Sequence, residues 1–432
     1  MPANAPNTAR RDESSAISFV RSSNRRSSTA DPRRRPHFAG ACAGSLYRGS
    51  VYHAAHDAPT REGSQMIGLG VVGCGDVAMR TYLPGFAAIA ERAGVVACFD
   101  PDAGRAERFA ARAAEFGSPD ATAYVDLAEF LAHPGLDAVF DLSPAPFHAA
   151  TNRAILDAGK HCFSEKPIAG SVAVGRALTD RARDLGLVFL VAPAVMATNR
   201  FEWLKRQSAA GRFGRLTLAT GQMANMGPAA WREYNGDPTV FYGPEVGPLL
   251  DTGVYVLHAM TGLLGPAKRV EAFGGVAIPE RRILIPARYG ETIAVTANDH
   301  MLVHLDFGDA TFAQLLSSFA TPRSKAPAFE LHGDAGTVSI AMENWYDLHA
   351  PVDLWVRDER RDAREVWGEA EPPQPSPVDH LIQAGPIHFV DCIERRVAPI
   401  LTGEQATHVL DIILSAARSA SEGRAVELET GI

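Results

Sequence analysis

The chain has 432 residues, 46% of them hydrophobic and 21% charged, with a formal net charge of −8 at pH 7. That length points to two globular domains, and the acidic balance argues against nucleic acid as the main partner. No apolar run approaches the roughly 18 residues of a membrane span, and the five scattered cysteines (Cys42, Cys74, Cys98, Cys162 and Cys392) form no CxxC. Such cysteine usage suits a reducing, cytoplasmic setting better than a disulfide scaffold or a zinc site.

Residues 1–65 hold ten Arg against five Asp or Glu, in stretches such as RSSNRRSSTADPRRRP. This composition lacks hydrophobic periodicity and predicts a disordered leader. ARRD near the start has the look of a twin-arginine signal, but no apolar core follows it. Met66, directly before the first apolar run, reads as the functional start.

From there the pattern alternates. Ile67–Val72 reads as a buried strand and Val77–Arg92 as a helix. Val95–Asp100 is a second strand, followed by a helix over Ala103–Phe116. Leu136–Ser143 is a strand, and Phe147–Gly159 a helix closed by its glycine. KHCFSEKP contains a short strand, SVAVGRALTDRARDLG a helix, and LVFLVAP a last strand. Strands separated by helices predict βαβ units on a doubly wound parallel sheet, a dinucleotide-binding domain over 66–192.

After Pro193 the texture changes. RLTLATGQM, RVEAFGGVAI, HMLVHLDF, ATFAQLLSSF and FELHGDAGTVSI read as strands joined by turns, and two helices, IHFVDCIERR and GEQATHVLDIILSAARSASEG, close the chain. Residues 193–432 therefore read as an α+β domain on a large, mostly antiparallel open sheet.

The first strand runs into Gly73-Cys74-Gly75-Asp76-Val77-Ala78, a GxGxxA pattern that opens a helix. Gly73 permits the tight turn, Gly75 lets a pyrophosphate approach the backbone, and Ala78 allows close helix–strand packing. Backbone N–H groups at Gly75, Asp76 and Val77 then face the anion. Asp100 ends the second strand, where an acid bonds ribose hydroxyls. It favours NAD by repelling a 2′-phosphate, and nearby Arg105 leaves NADP open. A glycine corner without a ligand is the plainer alternative.

In GKHCFSEKP, Lys166 lies just past a short strand, where ligands of parallel sheets collect. Pro167 biases Lys166 toward an extended backbone. From such a turn the ammonium can hydrogen-bond a substrate hydroxyl and share in moving its proton. A surface lysine paired with Glu165 is the bland alternative.

GxGxxA, then SPAPFH (Ser143–His148), then AGKHCFSEKP, then EVGPLLDTGVYVLHAMTGLLGP together resemble the glucose–fructose oxidoreductase / inositol dehydrogenase / rhizopine catabolism (Gfo/Idh/MocA) family. The likeness runs in order from Met66 to Leu428 and leaves out only the leader. It implies that Lys166 is catalytic and that Ser143, Pro144, His148 and Glu165 neighbour the cofactor. It also places the family's Asp-x-x-x-His element on Asp251-Thr252-Gly253-Val254-Tyr255, with tyrosine where histidine is usual. A homo-dimer or homo-tetramer is implied by resemblance alone.

If residues 250–264 are helical, Asp251, Tyr255 and His258 share one face. Tyr255 needs a nearby cation to act as a base, and Lys166 can supply one. His258 titrates in a suitable range unless it is packed. Asp251 can instead cap the helix. The aromatic, polar stretch AAWREYNGDPTVFYGPE offers Trp231, Arg232, Asn235, Tyr242 and Glu245 for a polyhydroxylated substrate, or is a surface loop.

The reading is an NAD(P)-dependent dehydrogenase. It exchanges hydride between nicotinamide and a carbinol carbon of a sugar, glycoside or cyclic polyol, without a metal. The rival is a dinucleotide-binding sensor without turnover.

Overall fold

The computed structural model describes residues 66–244, 246–357, 368–369 and 376–432. The Arg-rich leader and Glu245 lie outside the described residues.

Six short strands build the first sheet: β1 (Ile67–Val72), β2 (Ala93–Phe99), β3 (Thr122–Tyr124), β4 (Ala138–Asp141), β5 (His161–Ser164) and β6 (Phe189–Val191). All neighbours are parallel, in the order β3-β2-β1-β4-β5-β6. That is the doubly wound dinucleotide-binding order, with its switch point between β1 and β4. β1 and β4 are buried along their whole length, because helices cover both faces of such a sheet.

The segment after β1 is not one helix. It opens as a π turn (Ala78–Tyr82), continues as an α turn (Leu83–Phe86) and ends as a 3-10 turn (Ala87–Ile89). Pro84 explains the break, since it has no N–H for the carbonyl of Arg80 and its ring crowds that turn. β3 and the short helix Leu127–Leu131 escaped sequence reading because three to five residues carry too little periodicity.

The second sheet has nine strands: β7 (Leu216–Ala224), β8 (Arg269–Gly275), β11 (His300–Gly308), β12 (Thr311–Ser318), β13 (Phe329–Gly333), β14 (Gly336–Ile340), β15 (Asp353–Val356), β16 (Gly368–Glu369) and β17 (Val426–Glu427). They stand in the order β16-β15-β14-β13-β7-β12-β11-β8-β17. Only the β7–β12 pair is parallel. β9 (Glu280–Arg282) and β10 (Thr292–Ala294) form a separate hairpin. The helices Val254–Leu264 and Gly403–Glu422 cover one face of the large sheet. The other face shows Phe273, Leu302 and Phe312 to solvent.

Late elements return to the first sheet. The helix Ala384–Ile393 sets Phe389 edge-on against Phe140 and Phe163, with ring centroids 5.2 and 5.8 Å apart. Val191 of β6 donates its N–H to Leu401 at 3.0 Å.

Three histidines are locked into this core. Burial holds His258 down to about 3, and His388 and His408 down to about 4. His388 Nε2 accepts the N–H of Ile400 at 2.9 Å, and His408 Nε2 that of Ala267 at 3.0 Å, so protonation removes both acceptors. Below about pH 6.5 the unfolded chain binds protons at these sites that the folded chain refuses until about pH 4. Stability therefore falls on acidification, by about 1.4 kcal/mol per pH unit for each proton difference. The raised carboxyls of Asp141 and Asp251 act in the opposite sense, taking up protons in the folded state above the ordinary carboxylate range. The expected outcome in calorimetry is a melting temperature that drops from pH 7 to pH 5; a rise would contradict it.

Candidate active site

The glycine turn sits at the end of β1. Gly73 has φ +86°, and a Cβ there would lie 2.7 Å from the Leu142 carbonyl oxygen and 2.8 Å from Ser143 N. Only glycine lets this turn cross the loop after β4. Gly75 differs, being exposed with no atom within 4 Å of where its Cβ would stand. Packing does not demand a glycine at 75, so the open space above its backbone is room for a ligand. Among the described residues, the N–H groups of Gly75, Asp76 and Val77 have no hydrogen-bond partner. They form a cradle that fits an anion at a helix start. These residues would hold the pyrophosphate of a dinucleotide.

The Asp76 carboxylate is spent on Arg80, whose Nε lies at 2.8 Å, and on the Asn235 amide at 3.2 Å. Its contribution to the cradle is its backbone. Val77 is 42% exposed beside it. Asp100 stands at the tip of β2, as expected, but its oxygens are engaged by Cys74 N at 3.1 Å, Asp102 N at 2.9 Å and Arg105 Nε at 3.0 Å.

The loop after β4 is tied down twice. Ser143 donates its hydroxyl to Asp141 at 2.6 Å, and its carbonyl lies 2.7 Å from His148 Nε2; His148 Nδ1 lies 2.7 Å from the Pro167 carbonyl. His148 is therefore a buried tether between this loop and the lysine turn, and its two nitrogens are already occupied. Ser143 is half-buried and Pro144 exposed along the cleft edge.

Glu165 and Lys166 follow β5. Tyr82 donates its phenol to Glu165 Oε1 at 2.6 Å, and Glu165 Oε2 accepts the Lys166 N–H at 3.0 Å. Lys166 Nζ reaches the second sheet's helix, 2.8 Å from the Asp251 carbonyl and 3.3 Å from Asp251 Oδ1. The Tyr255 ring lies under the same ammonium, 5.7 Å from Nζ to centroid. Lysine, aspartate and tyrosine thus converge from two sheets.

Asp251 does not cap its helix. It lies inside a π turn, Leu249–Gly253, where no side chain caps. Burial pushes its carboxyl up, against the opposing pull of Lys166. Asp251 Oδ2 has no partner.

Two expectations need correction. Tyr255 was expected to gain acidity from Lys166. Burial instead pushes its phenol well above the usual tyrosine range, and Tyr346, Glu165 and Asp251 add to the rise, so its proton is held more firmly than that of a free tyrosine. His258 was expected to titrate in a suitable range unless packed. It is packed: buried, neutral and without a partner at Nδ1 among the described residues.

In the 228–244 segment, Tyr242 is fully buried, accepts the Ala229 N–H at 3.0 Å, and lies under the Arg281 guanidinium at 5.7 Å. It belongs to the core and offers a substrate no surface, contrary to expectation. Trp231 and Arg232 are exposed, and Asn235 reaches Asp76 across the cleft mouth. Tyr234, missed from sequence, is pushed up to about 12 by burial and by Asp76, Asp251 and Asp237, which places it between glycine turn and Asp251. Tyr82, Asp141 and Tyr346 were also missed. Tyr346 packs edge-on against Tyr255 at 5.7 Å and stacks on His380 at 5.2 Å.

The two glycines make opposite predictions. Gly75→Val should leave the melting temperature nearly unchanged and weaken dinucleotide binding at least about tenfold, since its side chain fills the cradle. Gly73→Ala should cost about 1–3 kcal/mol of stability through its strained φ. Titration and thermal melts read both; undiminished binding by Gly75→Val would contradict the assignment.

Two family models match the chain in order. One, described as an oxidoreductase family with an NAD-binding Rossmann fold, covers residues 67–192; the other, a GFO/IDH/MocA C-terminal domain, covers 201–339. A 1,5-anhydro-D-fructose reductase of Ensifer adhaerens is 25% identical over 343 residues, 76% of this chain and 90% of the relative. The scyllo-inositol 2-dehydrogenase (NADP(+)) IolU of Bacillus subtilis is 28% identical over 260 residues, 59% of this chain and 71% of the relative. Among solved structures, a levoglucosan dehydrogenase in complex with NADH and L-sorbose shares the fold, with a TM-score of 0.71, 19% identity, and coverage of 84% of this chain and 99% of that one. Since the two models together span more than half of its length, the chain belongs to the Gfo/Idh/MocA family of oxidoreductases, with their NAD-binding Rossmann fold.

Proposed function

We propose that the protein is an NAD(P)-dependent oxidoreductase that interconverts a carbinol and a ketone on a sugar, glycoside or cyclic polyol. The observation that carries this reading is the Lys166–Asp251 contact at the end of β5, on the carboxyl edge of the sheet that bears the glycine cradle. The relatives named for anhydrofructose and inositol support the substrate class.

A bound NAD(P) supplies the hydride acceptor or donor at its nicotinamide ring. The chain's own part is proton handling and orientation. Lys166, anchored by two bonds to Asp251, offers its remaining hydrogen to the substrate oxygen. Tyr255, which keeps its phenol proton, is a second donor near that point. Two donors on one oxygen stabilise the alkoxide-like charge that develops there. Proton exchange passes through Lys166 to Asp251, whose raised carboxyl is better matched to neutral pH than an ordinary aspartate. Exposed Trp231 and Arg232 line the mouth, an aromatic face and a donor suited to a polyhydroxylated ligand.

The division of the chain into 1–65, 66–192 and 193–432 belongs to the same proposal, as do a cytoplasmic location and a homo-oligomer. Cys74, Cys98, Cys162 and Cys392 are buried free thiols, which suits a reducing compartment. Among the described residues, no helix is long and apolar enough to cross a membrane. Phe273 and Leu302, directly paired on β8 and β11 and 67% and 39% exposed, give the open sheet an apolar patch for a second copy. A monomer in sedimentation velocity would refute that part.

The test is nicotinamide absorbance across a panel of sugars and inositols. Turnover with at least one is expected. Lys166→Ala should lower kcat by about 10²–10⁴-fold while dinucleotide affinity stays within about threefold. Dinucleotide binding without turnover on any of them would favour a sensor, and full activity in Lys166→Ala would overturn the chemistry.

A further inference from the structure

We infer that His148 carries a proton on both ring nitrogens and serves as a buried cation that holds the Lys166 turn in place. The charge follows from the bonds alone; its bearing on turnover rests on the oxidoreductase reading above. His148 is 1% exposed. Its Nε2 lies 2.7 Å from the Ser143 carbonyl oxygen, and its Nδ1 lies 2.7 Å from the Pro167 carbonyl oxygen. A carbonyl oxygen only accepts, and a neutral imidazole has one N–H and one lone pair. In either neutral tautomer, one nitrogen sets its lone pair against a carbonyl lone pair at bonding distance. A second proton replaces that repulsion with a charge-assisted hydrogen bond. His388 and His408 are built the other way. Each accepts a backbone N–H on Nε2, from Ile400 and Ala267, so they need a lone pair where His148 needs a hydrogen.

The surroundings supply the opposite charge. Asp141 ends β4, Cys162 lies on β5, and Glu165 and Lys166 follow β5. Asp251 meets Lys166 from the other sheet. Burial pushes the Cys162 thiol up, so it stays uncharged. Among the described residues of this corner, three carboxyls then face one ammonium, and an imidazolium narrows the imbalance. On the flanking helices, His148–Asp157 and Val172–Asp184, the charged side chains pair among themselves at the surface. Arg153 and Arg181 take Asp157, and Arg183 takes Asp180. The link from His148 to Asp141 runs through Ser143. That residue gives Asp141 Oδ1 its N–H at 3.1 Å and its hydroxyl at 2.6 Å, and turns its carbonyl to His148. Burial pushes the Asp141 carboxyl up, and the His148 charge pulls it back down. With both N–H groups in use, the ring ties the loop after β4 to the residue that follows Lys166. Loss of either proton releases one of the two segments. His148 bonds backbone and not the Lys166 ammonium, so it is a positioning residue.

The experiment is heteronuclear NMR of the full chain with isotope-labelled histidine, followed as the pH is raised. The His148 ring is assigned by its proximity to Ser143 and Pro167, so the wild-type protein suffices. At pH 7 both of its nitrogens are expected to carry protons. Asp141→Asn removes a negative charge and should lower the pH at which the second proton leaves by about one unit or more. A tether without charge would not respond to that change. In turnover, the wild-type kcat should fall as the second proton leaves. His148→Phe, which keeps a ring but loses both donors, should lower kcat at least about tenfold. A bare ring nitrogen at pH 7, a titration that Asp141→Asn leaves unmoved, or a kcat indifferent to the second proton would overturn the inference. The ring spectra need neither substrate nor dinucleotide. A protein that turns over no sugar would therefore sink the oxidoreductase reading, while the spectra still decide the charge on His148.

Discussion

The site depends on one bridge, the contact of the Lys166 ammonium with Asp251. Lys166 ends a strand of the parallel sheet, and Asp251 lies in the turn that leads into the helix under the antiparallel one. Both Asp251 oxygens involved, carbonyl and Oδ1, belong to the same residue, so the bridge fixes where the ammonium points as well as where it stands. Neither half of the molecule makes this arrangement alone. Around it, each neighbour is held from behind: Glu165 by the Tyr82 phenol, the lysine turn by His148, and the Tyr255 ring by Tyr346. Tyr346 in turn stands beside Trp345, whose loop is gathered by Arg200 bonding the carbonyls of Asn344 and Ala350 at 2.9 and 3.2 Å.

Such a site is costly. Buried polar atoms normally find partners. Here Asp141 Oδ2, Asp251 Oδ2 and His258 Nδ1 lack them, and all three belong to the elements that frame Lys166. Burial raises both aspartates, which is unfavourable for a folded carboxylate at neutral pH. The buried Arg281–Asp299 pair, where Asp299 also accepts Ala277 N at 2.6 Å, leaves one such atom as well, Arg281 Nε, and it serves the core.

Sequence reading reached the parts that depend on local rules. Gly73 and Gly75 declared themselves because strand, turn and helix lie within a dozen residues, and Lys166 because a strand end and a following proline fix its place. The parallel sheet followed from alternating strands and helices, apart from its three-residue edge strand β3. What escaped was whatever depends on distant contacts or on altered helix pitch. Nothing local to Tyr82 points to Glu165, 83 residues away, and Tyr346 looks like any aromatic near a turn. The helical wheel could place His258 near Asp251 but not show that the packing around it holds it neutral. Tyr242 satisfied every compositional test for a sugar platform, yet a cation and a backbone N–H claim it inside the core.

If the bridge is the working unit, its two halves cannot act independently. A double-mutant cycle on kcat with Lys166→Met, Asp251→Asn and the pair together tests this most directly. The account predicts strong non-additivity, the double variant being about as slow as the slower single one. Losses that simply multiply would show that the two residues act separately and would contradict it.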